Sequence, residues 1–317
     1  MSKPLIMAIV LSAVPAGAQS VLDLTFGDGD SAGHFERVGK GVGLAVSPDG
    51  KPCVGIDGAV KSLALKPVTV KPLVKYKLTI RAAIDGKDTV ESNDRIPELV
   101  TQTAGRGFAG YGLTFLDTEG QETGFILRKS SFVVNAGAII SGRVNNIVHV
   151  FYSPPKADKI RLTLRTGKNK VLIERIQLEL ENEEGTVNCD PDFRYGELCP
   201  SGWTWDSEGR LYRRPDGKTV LKSGTSAASP LFIVNDQSRY SFYCKGTAYD
   251  AKPESGKATV SFYDENGVNL GTTHLFWAEA MKNGATKKGL KPPPGATQAK
   301  AGVERAIFEE LRVTNDK

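Results

Sequence analysis

Apolar and polar residues alternate along much of this chain with a period of two. The run Tyr76-Lys77-Leu78-Thr79-Ile80-Arg81-Ala82 does so, and residues 160–165 repeat the pattern. Alternation at that period sends successive side chains to opposite faces, so each run predicts a half-buried strand. Further strands are predicted over 172–180 and 306–313. The pairs Asp49-Gly50, Asp85-Gly86, Glu119-Gly120, Asp216-Gly217 and Asn266-Gly267 supply turns between such runs. Spacing that would suit a long amphipathic helix is scarce, and only 278–283 reads as a short helical turn. This is the texture of antiparallel β-sandwiches.

The pattern also occurs twice. Leu113-Thr114-Phe115-Leu116-Asp117-Thr118-Glu119-Gly120 reappears as Val260-Ser261-Phe262-Tyr263-Asp264-Glu265-Asn266-Gly267. Pro154-Pro155-Lys156-Ala157 reappears as Pro293-Pro294-Gly295-Ala296, and Ile173-Glu174-Arg175-Ile176 as Phe308-Glu309-Glu310-Leu311. A strand opening at Tyr76 has its counterpart at Tyr240. The blocks keep their order, so the chain reads as two copies of one all-β unit. The first copy is longer, mostly through a stretch near 85–110 that is rich in Gly, Asp, Thr and Glu and is expected to form a long loop. The polar segment 181–185 marks the boundary.

Composition changes this picture little. The 317 residues suit two domains, and 40% hydrophobic content lets each bury a core. The net charge of +5 is spread out, with no run of five or six like charges. Nucleic acid is therefore not the natural partner, while a mild attraction to acidic polymers stays open. Met1-Ser2-Lys3, the apolar run 4–14 and Ala16-Gly17-Ala18 read as a signal peptide of residues 1–18, cleaved before Gln19. The bland alternative is a buried first strand or helix. The run is too short to span a bilayer, and no later stretch is long and apolar enough. Gln19 stands where a bacterial lipid anchor needs Cys. The expected domains are thus 19–182 and 183–317, in a protein that is secreted, periplasmic or on the cell surface.

Four cysteines suit an oxidising compartment. Cys189 and Cys199 bracket a polar loop and could bridge it, which would contribute about 2–3 kcal/mol in the chain-entropy view. Cys244 alternates with Tyr240 and Phe242 and reads as a buried apolar residue. Cys53 has no evident partner, and a bridge to Cys244 would have to cross domains.

Each half resembles the jelly-roll carbohydrate-binding modules of the CBM4/9 kind. The resemblance is carried by Asn188, Phe193 and Gly196, then Gly202-Trp203, a Tyr-led strand, the φ-x-Phe-x-Asp-x-x-Gly hairpin, the Pro-Pro-x-Ala turn and the closing strand. It covers almost all of the second half and the later two thirds of the first, which lacks tryptophan and starts differently at 21–29. The resemblance implies two tandem jelly-roll, galactose-binding-like β-sandwich domains. Its motifs speak more to fold than to ligand.

Recognition of a sugar needs a flat apolar surface beside paired donors and acceptors, and Trp and Tyr supply both. Trp203, Trp205 and Trp277 all lie in the second half. Trp203 is expected in the core. Trp205 and Tyr212 are candidates for a loop-side site, or else cap the sandwich. Alternation sends Tyr240, Phe242, Val260 and Phe262 inward. Tyr243 and Tyr263 then point outward with Lys245 and Glu265, as one platform. Trp277 is expected to share a face with Thr273 and Leu275, with His274 and Phe276 on the other. The candidate ligand-binding residues are Trp205, Tyr212, Tyr243, Tyr263 and Trp277, each weighed against a plain packing role.

Other chemistry is thinner. Asp28 and Asp30 with Glu36, and Asp190 with Asp192, could supply oxygen ligands for a structural Ca²⁺, against the simpler reading of Asp/Gly turns. No cofactor is required otherwise. Gly224-Thr225-Ser226-Ala227-Ala228-Ser229-Pro230 resembles a subtilisin nucleophile segment, but none of His34, His149 and His274 stands in the His-Gly context of that family. No carboxylate pair for glycoside hydrolysis stands out. His274 with Lys245 is the pair to examine for a lyase. The expected function is non-catalytic binding of a polysaccharide or glycan by aromatic stacking, mainly in the second domain. The alternatives are a structural or adhesive envelope protein that contacts other secreted proteins, and a polysaccharide lyase or hydrolase.

Overall fold

The computed structural model describes residues 20–316 except 27–30, 39, 61, 86–109, 128–130, 133–134, 139–143, 167–168, 182–184, 194–202, 206–208 and 250–255. The expected signal peptide, the expected loop near 85–110 apart from Asp85 and Gly110, and Asp28, Asp30 and Cys199 therefore lie outside the described residues.

Two sandwiches of antiparallel sheets follow one another. In the first, one sheet runs in the order Asn145–Tyr152, Lys75–Asp85, Lys170–Leu180, Pro52–Ile56, Val42–Val46, with Ser20–Thr25 also on Lys170–Leu180. It faces Asn135–Ala138, Gly110–Leu116, Lys159–Arg165 and Ser62–Ala64, flanked by Val68–Thr69 and Glu122–Thr123. The alternating run from Tyr76 sends Tyr76, Leu78 and Ile80 into a core shared with Leu113, Phe115 and Leu162 of the facing sheet.

In the second sandwich, Thr204–Trp205, Ala227–Ala228, Gln298–Glu304, Lys257–Tyr263 and Asn269–Trp277 form one sheet, with Phe232–Ile233 also on Gln298–Glu304. Arg210–Arg213, Thr219–Lys222, Ala306–Asp316, Arg239–Ala248 and Ala285–Leu290 form the other. Tyr240, Phe242, Val260, Phe262 and Trp203 are all in this core, as alternation requires. A single helical turn, Ala278–Met281, buries Ala278 and Met281.

The duplication extends to individual hydrogen bonds. Asp117 Oδ1 accepts from the Glu119 and Gln121 N–H groups, and Asp264 Oδ1 from those of Asn266 and Val268. The Ala157 N–H reaches the Pro154 carbonyl at 3.1 Å and the Ala296 N–H the Pro293 carbonyl at 3.1 Å. Each closing strand also carries an extra residue at the same place: the register slips past Glu174 in the first copy and past Glu309 in the second. The slip keeps a second consecutive polar residue, Arg175 or Glu310, off the core, and Glu174 and Glu309 each meet a cation on the neighbouring strand, Arg81 or Lys245.

The copies touch where they join. Tyr152 packs on the second core and donates its hydroxyl to the Val187 carbonyl at 2.6 Å. Asn188 closes the start of the second copy: its amide donates to the Leu311 carbonyl at 2.6 Å and accepts the Val313 N–H at 2.8 Å.

Cys53, Cys189 and Cys244 are buried free thiols. Cys244 sits in the second core beside Phe242, and Cys53 lies against Ala83 and Leu172 in the first sandwich. No bridge joins Cys53 to Cys244, because each is enclosed in its own sandwich. Burial pushes the Cys189 and Cys244 thiols up to about 12.

Candidate functional site

The outward face of the Gln298–Glu304, Lys257–Tyr263, Asn269–Trp277 sheet gathers aromatic and polar side chains in one place. Ala258, Val260 and Phe262 point inward. Lys257, Thr259, Ser261 and Tyr263 therefore point out, and the cross-strand register decides their neighbours. On the Gln298–Glu304 side these are Glu304, Gly302, Lys300 and Gln298 in turn.

On the Asn269–Trp277 side the register is broken twice. Thr259 opposes His274 but Ala258 opposes Phe276, so Leu275 is an extra residue; Leu270 is another. This β-bulge overturns the expected face of Trp277. Leu275 is buried, and Trp277 is 51% exposed opposite Lys257, on the same face as His274. The two rings lie 4.5 Å apart between centroids at 44°. Sequence alternation missed this pair, because a bulge shifts the phase by one residue without any local mark in composition.

Around the pair the surface is small and polar. Ser261 and Thr272 share a hydroxyl–hydroxyl bond of 2.8 Å. Gly302 leaves room for Thr259, whose hydroxyl would stand 2.7 Å from any Cβ added there. Lys257 pairs with Glu304 at 3.1 Å. Lys287 donates to the His274 carbonyl at 2.8 Å and ties the edge of this sheet to its neighbour. A flat, wetted indole beside an imidazole, hydroxyls and an ammonium group can stack on a ring of C–H bonds and hydrogen-bond its substituents.

The other expected residues disperse. Tyr243 is on the opposite sheet, so it does not form a platform with Tyr263; its ring lies over Gly284, where a Cβ would meet the phenol oxygen at 2.5 Å. Tyr263 is half-buried and does share the Trp277 face. Trp205 pairs through its backbone with Ala227, and Tyr212 with Val220 in the other sheet; their side chains lie outside the described residues. Lys245 pairs with Glu309 at 3.2 Å rather than with His274. Burial pulls Glu309 up, but hydrogen bonds from Lys245 and Arg214 outweigh it and hold the carboxyl below its usual range.

Among the described residues no three His, Cys, Asp or Glu side chains are grouped to hold a metal ion. Asp190 is buried and Asp192 lies two residues on; these two do not make an oxygen cage by themselves. No helix among the described residues is long and apolar enough to cross a membrane.

The chain matches no known protein-family profile, and no curated protein matches it in sequence. Solved structures are similar at low identity. The N-terminal CBM22-1–CBM22-2 tandem domain of Paenibacillus barcinonensis Xyn10C is 13% identical, with 96% of this chain and 100% of that one covered and a TM-score of 0.36. The CBM22-1 xylan-binding domain of the same protein is 15% identical over 53% of this chain and 97% of that one, TM-score 0.33. A family 16 carbohydrate-binding module is 12% identical over 49% and 99%, TM-score 0.31. At these identities and TM-scores the likeness does not extend to ligand or site residues.

Proposed function

We propose that this is a non-catalytic, secreted carbohydrate-binding protein and that its second sandwich holds a glycan on the outward Trp277 face. One observation carries the reading: an indole 51% exposed, braced by His274 at 4.5 Å, on a polar sheet face that carries Thr259, Ser261 and Thr272 beside the charged Lys257 and Glu304. A large ring left in water on an ordered strand costs hydrophobic burial that the fold could have recovered by pointing it inward. The Leu275 bulge is the local device that keeps it out. Sugar stacking accounts for both. The CBM4/9 likeness of the sequence motifs belongs to the same reading. Affinity per site should be shallow, about 10 μM to 1 mM, as for small wet sites.

Affinity electrophoresis of the mature protein through gels containing a polysaccharide panel tests this. Retardation by at least one glycan, abolished in Trp277→Ala and kept in Tyr243→Ala, is expected. Retardation by none contradicts it.

A further inference from the structure

The half-buried lysines of the second sandwich come with partners. Lys245 meets Glu309 at 3.2 Å, Lys257 meets Glu304 at 3.1 Å, and Lys222 sits 4.2 Å over the Tyr249 ring. Lys300 is the exception. It projects from the same outward face as Trp277, opposite Ser261, and makes no hydrogen bond or ion pair among the described residues. Its surroundings are desolvating, and burial pulls its ammonium below the usual lysine range. Glu304, the acid on its own strand and face, is engaged with Lys257.

Two residues along that strand is Gln298. It alternates with the core residue Ala299, so it belongs to the outward face, between Tyr263 and Ile233 in register. It is 1% exposed, and its Oε1 has no hydrogen-bond partner among the described residues. A buried polar atom without a partner carries a desolvation cost that native structures rarely leave standing. An unanswered cation and an unanswered acceptor thus sit side by side, roughly 7 Å apart along the strand. That is about the span of one sugar ring with its substituents. What would answer both is a ligand with an anionic group at one end and a hydroxyl donor at the other.

Building on the reading of the Trp277 face as a glycan site, we propose that it selects acidic sugars, with Lys300 receiving the carboxylate of a uronic acid residue and the buried Gln298 amide turning outward to accept one of its hydroxyls. A uronic acid carries its carboxylate on the ring carbon beside hydroxylated ones, so one residue offers both groups. A sulfate ester would satisfy Lys300 as a charge; the carboxylate is favoured because the neighbouring amide asks for a donor set on the same ring. The chain's net charge of +5 works in the same direction at long range.

The test compares polygalacturonate, alginate and hyaluronate, each beside its carboxyl-reduced form, using calorimetry at fixed ionic strength. The full mature chain is compared with Lys300→Met, which keeps the stem, and with Lys156→Met, which removes the same charge from an exposed turn of the first sandwich. The expected result is one uronate polymer bound about tenfold more tightly than its reduced form, the worth of one charge-assisted hydrogen bond. That preference falls within twofold in Lys300→Met and survives in Lys156→Met. Thermal melts of both variants within a few degrees of the wild type establish that they fold, and Lys300→Gln serves in place of Lys300→Met if that variant does not. Equal binding of acidic and reduced forms, or a preference that Lys300→Met retains, overturns the assignment while leaving a neutral glycan site intact. Tighter binding of dextran sulfate than of any uronate, lost in Lys300→Met, overturns the carboxylate. Binding of no polymer in either form overturns the glycan reading itself, and this inference with it.

Discussion

Tyr76 and Tyr240 make the same bond in the two halves of the chain. Each is buried, and each phenol oxygen accepts the backbone N–H five residues upstream, from Lys71 and from Asn235, both at 2.8 Å. The side chain reaches back over the turn that feeds its own strand and fixes where the strand begins. Phenylalanine would keep the ring and strand an N–H. Tyr76→Phe and Tyr240→Phe should each cost about 1 kcal/mol, measured by urea unfolding. A null effect at both positions would show that the bond is not what anchors the turn.

His149 makes the first sandwich sensitive to acid. It is buried in that core, with Nδ1 3.1 Å from the Tyr111 hydroxyl and Phe151 against its ring. Burial pushes it down from 6.5 to about 4. The unfolded chain therefore binds a proton near pH 6.5 that the folded chain refuses until about pH 4. Protons then favour the unfolded state throughout that window, so stability falls as pH drops from 6.5 towards 4. The loss by pH 4.5 should be roughly 2–3 kcal/mol. His149→Gln, which keeps a polar partner for Tyr111, should remove that part of the pH dependence; urea titrations at pH 7 and 4.5 measure the difference.

The thiols should be silent in the native protein. Cys53, Cys189 and Cys244 are buried, and burial raises all three. Iodoacetamide at pH 8 is expected to label none of the three until denaturant is added, with mass spectrometry locating the label. Labelling of Cys189 in the folded protein would contradict its burial. The Cys189–Cys199 bridge expected from the spacing is kept as a proposal: where it has formed, Cys189 takes label in denaturant only after reduction, and the same digest reports it.

Gln298 bears the cost of a buried amide oxygen without a partner among the described residues. Leucine in its place removes an unpartnered amide and keeps the volume. Gln298→Leu should raise Tm by a few degrees, a gain of about 1 kcal/mol. An unchanged or lower Tm would mean that the amide is satisfied in solution.

Much of the architecture is written in residue order. Alternation from Tyr76 and from Ile160 yields strands, and the Asp117 and Asp264 turns announce themselves by an aspartate three residues before glycine. Side-chain phase is harder. Trp277 was expected beside Leu275 because two residues separate them, yet a bulge consumes one of those steps and turns the indole outward. Arg175 and Glu310 are kept off the core by the same means. Tyr243 and Tyr263 looked like one platform because both face out, but sheet membership depends on long-range pairing that no local pattern encodes. Gln298 and Lys300 did leave a trace. Polar residues alternating with Ala299 and Ala301 mark a strand with one chemical face, and that trace becomes a site only when the face is seen to continue to Trp277.

Tryptophan emission during glycan titration, in the wild type and in Trp277→Ala, tests the central claim most directly. Trp203 is enclosed against Phe193, whereas Trp277 is open to water. A glycan that binds should shift the wild-type emission to shorter wavelength and shield it from iodide, and the Trp277→Ala protein should show neither change nor measurable affinity. Full affinity in Trp277→Ala, or an indole that stays open to iodide under saturating glycan, would contradict the account.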